Sequence, residues 1–242
     1  MRWSLIILRW SLILLISRPV YSQSPDSSTD YREIFGADYK YAVNTVEENT
    51  CWSDTLDKHN IEPHFALSIV FPELIRYSSI SDFIEVKALE VLYVQYGHDY
   101  ADFSIGLFQM KPTFAEQIEA DILSFGLDNG HPELAALHAS VVDSLDIRRD
   151  RIVRLKNDHY QLLYLEAFIR IMDQLYHEQA SLPAEEKLAF YAAAYNTGYR
   201  KSYLVIRGEE DKDRFYTGMA ETDIKYNYSA IALYYYLKNG KN

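Results

Sequence analysis

Glu73 is a carboxylate whose surroundings suit acid–base chemistry. It lies in the segment HFALSIVFPELIRYS, at the end of an apolar helical run and between Phe71 and Leu74. Burial disfavours the charged form of a carboxyl group, so the pKa of Glu73 is expected to rise toward the range of a general acid. On this segment alone, the alternative is a glutamate at a helix end whose carboxylate reaches solvent.

Two further segments carry groups that bind sugars. In SIGLFQMKPTFA (104–115), Gly106 permits close backbone approach, and the Gln109 amide both donates and accepts hydrogen bonds. In AAAYNTGY (192–199), small alanines allow tight helix packing before Tyr195 and Asn196. These two residues supply a ring face, a hydroxyl and an amide, which suit the C–H side and the hydroxyls of a sugar.

With these segments in this order, the chain resembles the soluble-lytic-transglycosylase-like domains of the lysozyme superfamily. In that family the catalytic Glu ends a helix introduced by a proline, as Glu73 does here. The family signature G-L-M-Q-x-x-P-x-T-A is similar to residues 106–115, and A-Y-N-A-G is similar to 194–198. Its E-T-x-x-Y-V segment is similar to 221–228, with a short insertion. The resemblance covers about residues 61–237.

The resemblance implies cleavage of the MurNAc–GlcNAc β-1,4 bond of peptidoglycan without water. Protonated Glu73 gives its proton to the glycosidic oxygen. As a carboxylate it then takes a proton from the sugar's own 6-hydroxyl, which closes a 1,6-anhydro ring. Gln109 and the backbone near Met110 hold the N-acetyl group and hydroxyls, Tyr195 and Asn196 orient Glu73 and substrate, and Tyr228 hydrogen-bonds the carboxyl. The implied substrate-binding residues are Ser104, Gln109, Met110, Tyr195, Asn196 and Tyr228.

The chain departs from the family pattern on either side of the catalytic position. Leu74 stands where the family usually has Ser, and Pro72 removes a backbone donor and is expected to kink the helix. The spacing between Glu73 and the G-L-x-Q motif is also longer than in the family. We therefore expect an inserted element at 79–103 that forms part of the cleft wall.

Two other functions remain open on these residues. One is a hydrolytic muramidase, in which Asp99 or Asp102 from the insertion positions a water. The other is a non-catalytic glycan-binding protein of the same fold, which the changes at Pro72 and Leu74 would suit.

The elements that position these groups are predicted to be helices, because apolar residues recur at spacings of three and four. The fold class is therefore mainly α, and the resemblance implies a lysozyme-like single domain with the inserted element. A small irregular or β-like element is expected at 96–108. Helices are predicted at 42–56, 65–75, 83–93, 114–125, 152–176, 183–195 and 228–237.

Charge excludes several classes of partner. The chain has 24 Lys and Arg against 35 Asp and Glu, which gives a formal net charge of −11. This argues against binding to nucleic-acid phosphates and against electrostatic docking on anionic lipid. It also predicts that stacking and hydrogen bonds, rather than net charge, hold an anionic wall polymer.

The amino terminus indicates the compartment. Residues 1–22 combine three Arg and no acid with two apolar runs, which is typical of a secretory signal peptide. We expect 23–35 to be a flexible lead-in and 36–242 to be the transglycosylase domain. The chain would cross the inner membrane to the periplasm or cell envelope, with no stable membrane span after cleavage. An uncleaved anchor is the alternative.

Metal and thiol chemistry find little support in the pattern. The seven His residues are scattered, and none lies in a metal-binding motif, so neither a metal nor a cofactor is predicted. The single cysteine, Cys51, is expected to be a buried thiol.

Overall fold

The computed structural model describes residues 29–79, 83–218 and 224–240. This part of the chain is mainly helical, which confirms the predicted class. The predicted signal peptide at 1–22 and the motif similarity at 221–222 lie outside the described residues. The helices are α1 (Tyr31–Phe35), α2 (Ala37–Glu48), α3 (Thr50–Lys58), α4 (Pro63–Ser79), α5 (Phe83–Tyr96), α6 (Pro112–Phe125), α7 (Leu127–Gly130), the 3₁₀ helix η1 (Pro132–Leu137), α8 (Ser144–Leu155), α9 (Asp158–Leu175), α10 (His177–Ala180), α11 (Ala184–Thr197), α12 (Tyr203–Arg207) and α13 (Tyr228–Asn239); the strands are β1 (Asp213–Phe215) and β2 (Tyr226–Asn227).

Helix α4 is the central helix of the fold and carries Glu73. Every residue from 65 to 75 is buried, because α2, α3, α9, α11 and α13 all pack against it. The helix begins where the Glu62 carboxylate accepts the backbone N–H groups of His64 and Phe65. Pro72 removes one intrahelical donor, yet α4 continues beyond it to Ser79. Packing against the surrounding helices therefore keeps the chain helical at Pro72.

Asparagines divide two of the predicted helices. The predicted helix at 42–56 is broken at Asn49, whose φ and ψ of −97° and 56° are not helical. The predicted helix at 152–176 is broken at Asn157, whose side chain caps α9 by accepting the His159 N–H at 3.0 Å. Asparagine side chains compete for helix backbone groups and favour caps, so these two breaks have a local cause.

The predicted lead-in is partly folded, so the expectation of a flexible segment at 23–35 was wrong for its last residues. Asp30 caps α1 by accepting the Arg32 N–H at 2.9 Å. Tyr31 and Phe35 are buried, and the Tyr31 ring meets the Tyr234 ring edge-on at 5.3 Å. These aromatic contacts fix the segment against α13. Residues 23–28 lie outside the described part.

A short antiparallel ribbon precedes α13 in the chain, where the sequence predicted no strand. Strand β1 pairs with β2, and α13 follows directly, capped by the Asn227 side chain, which accepts the Ala230 N–H at 2.8 Å. The ribbon packs the Phe215 ring edge-on against Tyr228 at 5.0 Å. In the expected β-like region, 96–108, the structure has one isolated bridge, between Ile105 and Met110.

Two findings concern the surface of the molecule. Cys51 is exposed, so the expectation of a buried thiol was wrong. It lies on the outer side of α3, whose buried positions are Trp52 and Leu56. Within the described ranges, no helix is both long and apolar enough to cross a bilayer.

Candidate functional site

A cleft of about 440 Å³ opens beside the end of α4. Its walls come from α4, the loop that precedes α6, the end of α11 and the β1 region. Six of the seven predicted site residues line it: Glu73, Ser104, Gln109, Met110, Tyr195 and Asn196. Segments far apart in the chain are thus brought to one cavity.

Glu73 is the buried acid of the cleft. The residue is only 5 % exposed, and its Oε2 has no hydrogen-bond partner among the described residues. Burial raises the pKa of Glu73 to about 7, although the positive charges of Arg76 and Lys111 oppose the rise. The Arg76 guanidinium is 3.8 Å from Glu73 Oε2, too far for a direct hydrogen bond. A carboxyl in this state can hold a proton near neutral pH and release it.

The loop at 104–110 is fixed by a buried glutamine beneath it. Gln161 accepts the Phe108 N–H at 2.7 Å and donates to the Leu155 carbonyl at 2.8 Å. Gly106 has φ of +71°, and a Cβ there would lie 1.8 Å from Gln161 Nε2. Only glycine fits both the conformation and the space, as the sequence predicted from its position.

Gln109 is held in an uncommon backbone conformation at the floor of the cleft. Its φ is +50°, one of two positive values among the described residues other than glycine. Its side-chain Nε2 donates to the Gly106 carbonyl at 2.8 Å, and the neighbouring Ile105 and Met110 exchange backbone hydrogen bonds of 2.9 and 3.1 Å. The strained turn presents a preorganised amide in the cleft.

Tyr195 supports the loop rather than the carboxyl of Glu73. Its hydroxyl donates to the Phe108 carbonyl at 2.7 Å, and its ring packs against Phe114 and Phe168 at 5.3 and 5.5 Å. Asn196, which follows it, is exposed on the cleft. The Tyr195 hydroxyl holds the loop. No direct hydrogen bond therefore supports the predicted role of Tyr195 in orienting Glu73.

Tyr228 lies behind the cleft, and the expectation that it hydrogen-bonds the Glu73 carboxyl was wrong. Its hydroxyl donates instead to the Ile69 carbonyl at 3.0 Å, one turn before Glu73 on α4. Burial, and then the charge of Glu73, raise the pKa of Tyr228 and of Tyr195 well above the usual range. Both hydroxyls therefore remain neutral donors, and Tyr228 positions the helix that carries the acid.

Three cationic side chains that the sequence did not indicate as site residues also line the cleft: Arg76, Lys111 and Arg214. Arg76 Nε is buried without a hydrogen-bond partner in the described structure. The spacing of Arg76 from Glu73, three residues along a helix, is a signal that could have found it. Arg214 could not have been found, because it is brought to the cleft by a ribbon that the sequence did not indicate.

The acids proposed for a hydrolytic alternative differ in position. Asp102 lines the cleft but caps the start of α6, where it accepts the Thr113 N–H at 3.1 Å and the Thr113 hydroxyl at 2.9 Å. The Asp99 side chain is 88 % exposed and does not line the cleft. Asp102 is thus engaged by Thr113, and Asp99 lies outside the cleft.

Of the described residues in the inserted element, 79–103, Asp102 lines the cleft, so the expectation of a cleft wall holds only at the end of that element. Helix α5 packs on α8, and none of its described side chains lines the cleft. Tyr93 is buried, with its hydroxyl donating to Glu116 at 2.7 Å, whereas Tyr96 and Tyr100 are exposed. Contacts of charged side chains hold α5 against α8. One of them is a hydrogen bond from Arg148 Nε to the Val94 carbonyl at 2.8 Å.

Comparisons of the chain with protein-family models, with curated proteins and with solved structures give no match.

Proposed function

We propose that this protein is a peptidoglycan lytic transglycosylase of lysozyme-like fold. The observation that carries the proposal is a single carboxyl, Glu73, which is buried at the edge of a cleft, lacks a hydrogen-bond partner on Oε2 within the described structure, and has its pKa raised to about 7. The motif resemblance at 106–115 and 194–198 supports the choice of reaction. The cavity volume lies in the usual range for small-molecule sites, about 300–1,000 Å³.

The reaction needs one acid that later acts as a base. Protonated Glu73 gives its proton to the glycosidic oxygen, so the bond to MurNAc C1 breaks and GlcNAc leaves with a 4-hydroxyl. The Glu73 carboxylate then takes the proton of the MurNAc 6-hydroxyl, whose oxygen bonds to C1 and closes the 1,6-anhydro ring. No water is consumed and Glu73 returns to its protonated form. Because the nucleophile belongs to the substrate, a second carboxylate is not required, unlike the two-carboxylate scheme.

The cleft supplies groups suited to a glycan with anionic substituents. Gln109 and Asn196 offer amides for the N-acetyl and hydroxyl groups. Lys111 and Arg214 are 53 % and 61 % exposed in their side chains and would meet lactyl or peptide carboxylates. A chain of net charge −11 can therefore hold an anionic polymer through local charge.

The proposal includes the compartment. Peptidoglycan strands lie outside the inner membrane, which agrees with export by a signal peptide at 1–22. N-terminal sequencing of the exported protein would test this part, with a mature chain that begins near residue 23 as the expected result.

The test of the activity is product analysis by mass spectrometry. Purified peptidoglycan is digested with the wild type, with Glu73→Gln and with Asp102→Asn. We expect 1,6-anhydro muropeptides from the wild type and a loss of at least about 100-fold in Glu73→Gln, since the variant cannot transfer the proton. Asp102→Asn should keep the anhydro products, because Asp102 caps α6.

Other products would overturn the proposal in distinct ways. Reducing ends that depend on Glu73 and Asp102 would identify a hydrolytic muramidase. No release by folded wild type, together with binding to peptidoglycan, would identify a non-catalytic glycan-binding protein.

A further inference from the structure

A second polar cluster lies away from the cleft, where the end of α3, the start of η1 and the middle of α9 meet. His59 Nδ1 is 2.7 Å from Glu166 Oε2, and the ligand atoms of His59, Glu133 and Glu166 all lie within 4.8 Å of one another. His131 joins them, with Nδ1 3.6 Å from Glu133 Oε1. None of the four lines the cleft. One imidazole and two carboxylates therefore surround one small space, with His131 beside Glu133.

Charged and polar groups meet closely around this space. Arg170 donates to Glu166 Oε1 at 2.9 Å and to the His59 carbonyl at 2.6 Å. Arg170 therefore pairs with Glu166 Oε1, and Glu166 Oε2 faces His59. The ligand atoms of Glu133 and Glu166 lie within 4.8 Å of each other, and a cation between two carboxylates relieves their repulsion.

We propose that His59, Glu133 and Glu166 bind a divalent transition-metal ion of the zinc class, which leaves one position of a tetrahedral site open. Imidazole nitrogen with carboxylate oxygen is a donor set that zinc accepts in tetrahedral sites, whereas calcium and magnesium prefer oxygen alone. Ligand atoms about 2.0–2.1 Å from a tetrahedral ion lie about 3.4 Å from one another. The His59–Glu166 separation of 2.7 Å and the limit of 4.8 Å on the other pairs lie on either side of that value, so small side-chain movements suffice.

The surroundings of the cluster agree with such a site. The side chains of His59, Glu133 and His131 are 14 %, 22 % and 32 % exposed, so an ion can enter from solvent. Glu166 is 1 % exposed and is held by Arg170, which orients it as an outer partner orients a metal ligand. The three donors come from three parts of the chain, so the ion would join the end of α3, η1 and α9 and stabilise the folded state.

Calorimetric titration of the full chain without an affinity tag, after treatment with EDTA, tests the proposal. The probe is ZnCl2, with MgCl2 as the comparison ion. We expect one Zn²⁺ per chain, an increase in Tm with Zn²⁺ and no effect of Mg²⁺. Substitution of Co²⁺ should give the visible absorption of a tetrahedral site.

Variants separate this cluster from other possible sites. Glu133→Gln should weaken Zn²⁺ binding at least about tenfold and remove the Co²⁺ absorption; His59→Ala serves the same purpose if the first variant does not fold. His138→Ala is the matched control, since His138 pairs only with Asp128, at 3.1 Å. Glu73→Gln should bind Zn²⁺ as the wild type does. Absence of binding below about 1 mM Zn²⁺, or equal affinity in the wild type and Glu133→Gln, would overturn the proposal.

Discussion

Two carboxylates with similar burial, Glu73 in the cleft and Glu119 on α6, have opposite surroundings. Their side chains are 7 % and 12 % exposed. Glu119 accepts hydrogen bonds from Arg151 Nε at 2.9 Å, Arg151 Nη2 at 2.5 Å, Arg154 Nη2 at 3.3 Å and the Tyr164 hydroxyl at 2.6 Å. Glu73 has one cation at 3.8 Å, and its Oε2 has no hydrogen bond within the described residues.

The difference separates a structural acid from the acid that we propose for catalysis. Glu119 is saturated with donors, so it joins α6, α8 and α9 and has no oxygen left for a substrate. Glu73 is deficient in donors, so burial favours its protonated form and its proton is available. Burial alone therefore does not identify a reactive carboxyl; burial with an unsatisfied oxygen at a cleft does.

The largest effect expected on stability is from Glu119→Gln. The substitution leaves Arg151 and Arg154 partly unpaired in a buried network, and the free energy of unfolding should fall by about 3–5 kcal/mol. Urea denaturation measures it. Asp146→Asn is the control, because its pair with Arg149 is exposed and should contribute less than about 1 kcal/mol. Equal losses in the two variants would contradict the distinction.

Glu73→Gln should change how the free energy of unfolding depends on pH. The folded-state pKa of about 7 lies above the ordinary value of 4.5, so the folded protein holds a proton that the unfolded chain releases. Stability of the wild type should therefore decline as pH rises from about 4.5 to 7 and be level above it. Relative to its value at pH 4, the variant should gain on the order of 3 kcal/mol over the wild type at pH 8. Parallel pH curves from urea denaturation would contradict the raised pKa.

Arg76→Gln should move the pH profile of the cleavage activity. Wild-type kcat/KM should fall above about pH 7 as Glu73 loses its proton. Because the Arg76 charge lowers the pKa of Glu73, its removal should shift this limb upward, by less than about one pH unit for a partly exposed cation. Lys111→Gln should shift it less, in the same direction. A downward shift in either variant would show that the charge acts on another group.

Tyr228→Phe should have the smallest effect. Loss of the hydrogen bond to the Ile69 carbonyl should cost about 1 kcal/mol of stability and leave the pH limb of activity in place. Thermal unfolding and the kcat/KM profile measure the two quantities. A shifted limb would instead support the hydrogen bond to the Glu73 carboxyl that the sequence resemblance implied.

The sequence predicted what depends on local pattern. Apolar spacing predicts α4 and α9, and the position of Glu73 within an apolar run predicts its desolvation. Gly106 could be selected because a tight loop against another element needs a residue without a Cβ.

Features that depend on distant partners could not be predicted in this way. The Tyr228 hydroxyl has several acceptors within reach of its helix, and only the packing of α13 on α4 selects the Ile69 carbonyl. The path of α5 onto α8 likewise depends on contacts such as that of Arg148 with Val94, which are 54 residues apart. The division of the helix at Asn157 was in principle readable, since asparagine is a strong cap residue.

The hydrogen bonds that shape the cleft span long stretches of chain. They join Phe108 to Gln161 over 53 residues, Phe108 to Tyr195 over 87, and Ile69 to Tyr228 over 159. Contacts of such sequence separation carry a loop-closure cost that local helix contacts do not, so we expect them to form after the helices. The cleft is therefore a product of the finished tertiary structure, and the recovery of bond cleavage during refolding would time the last step of folding rather than the appearance of helices.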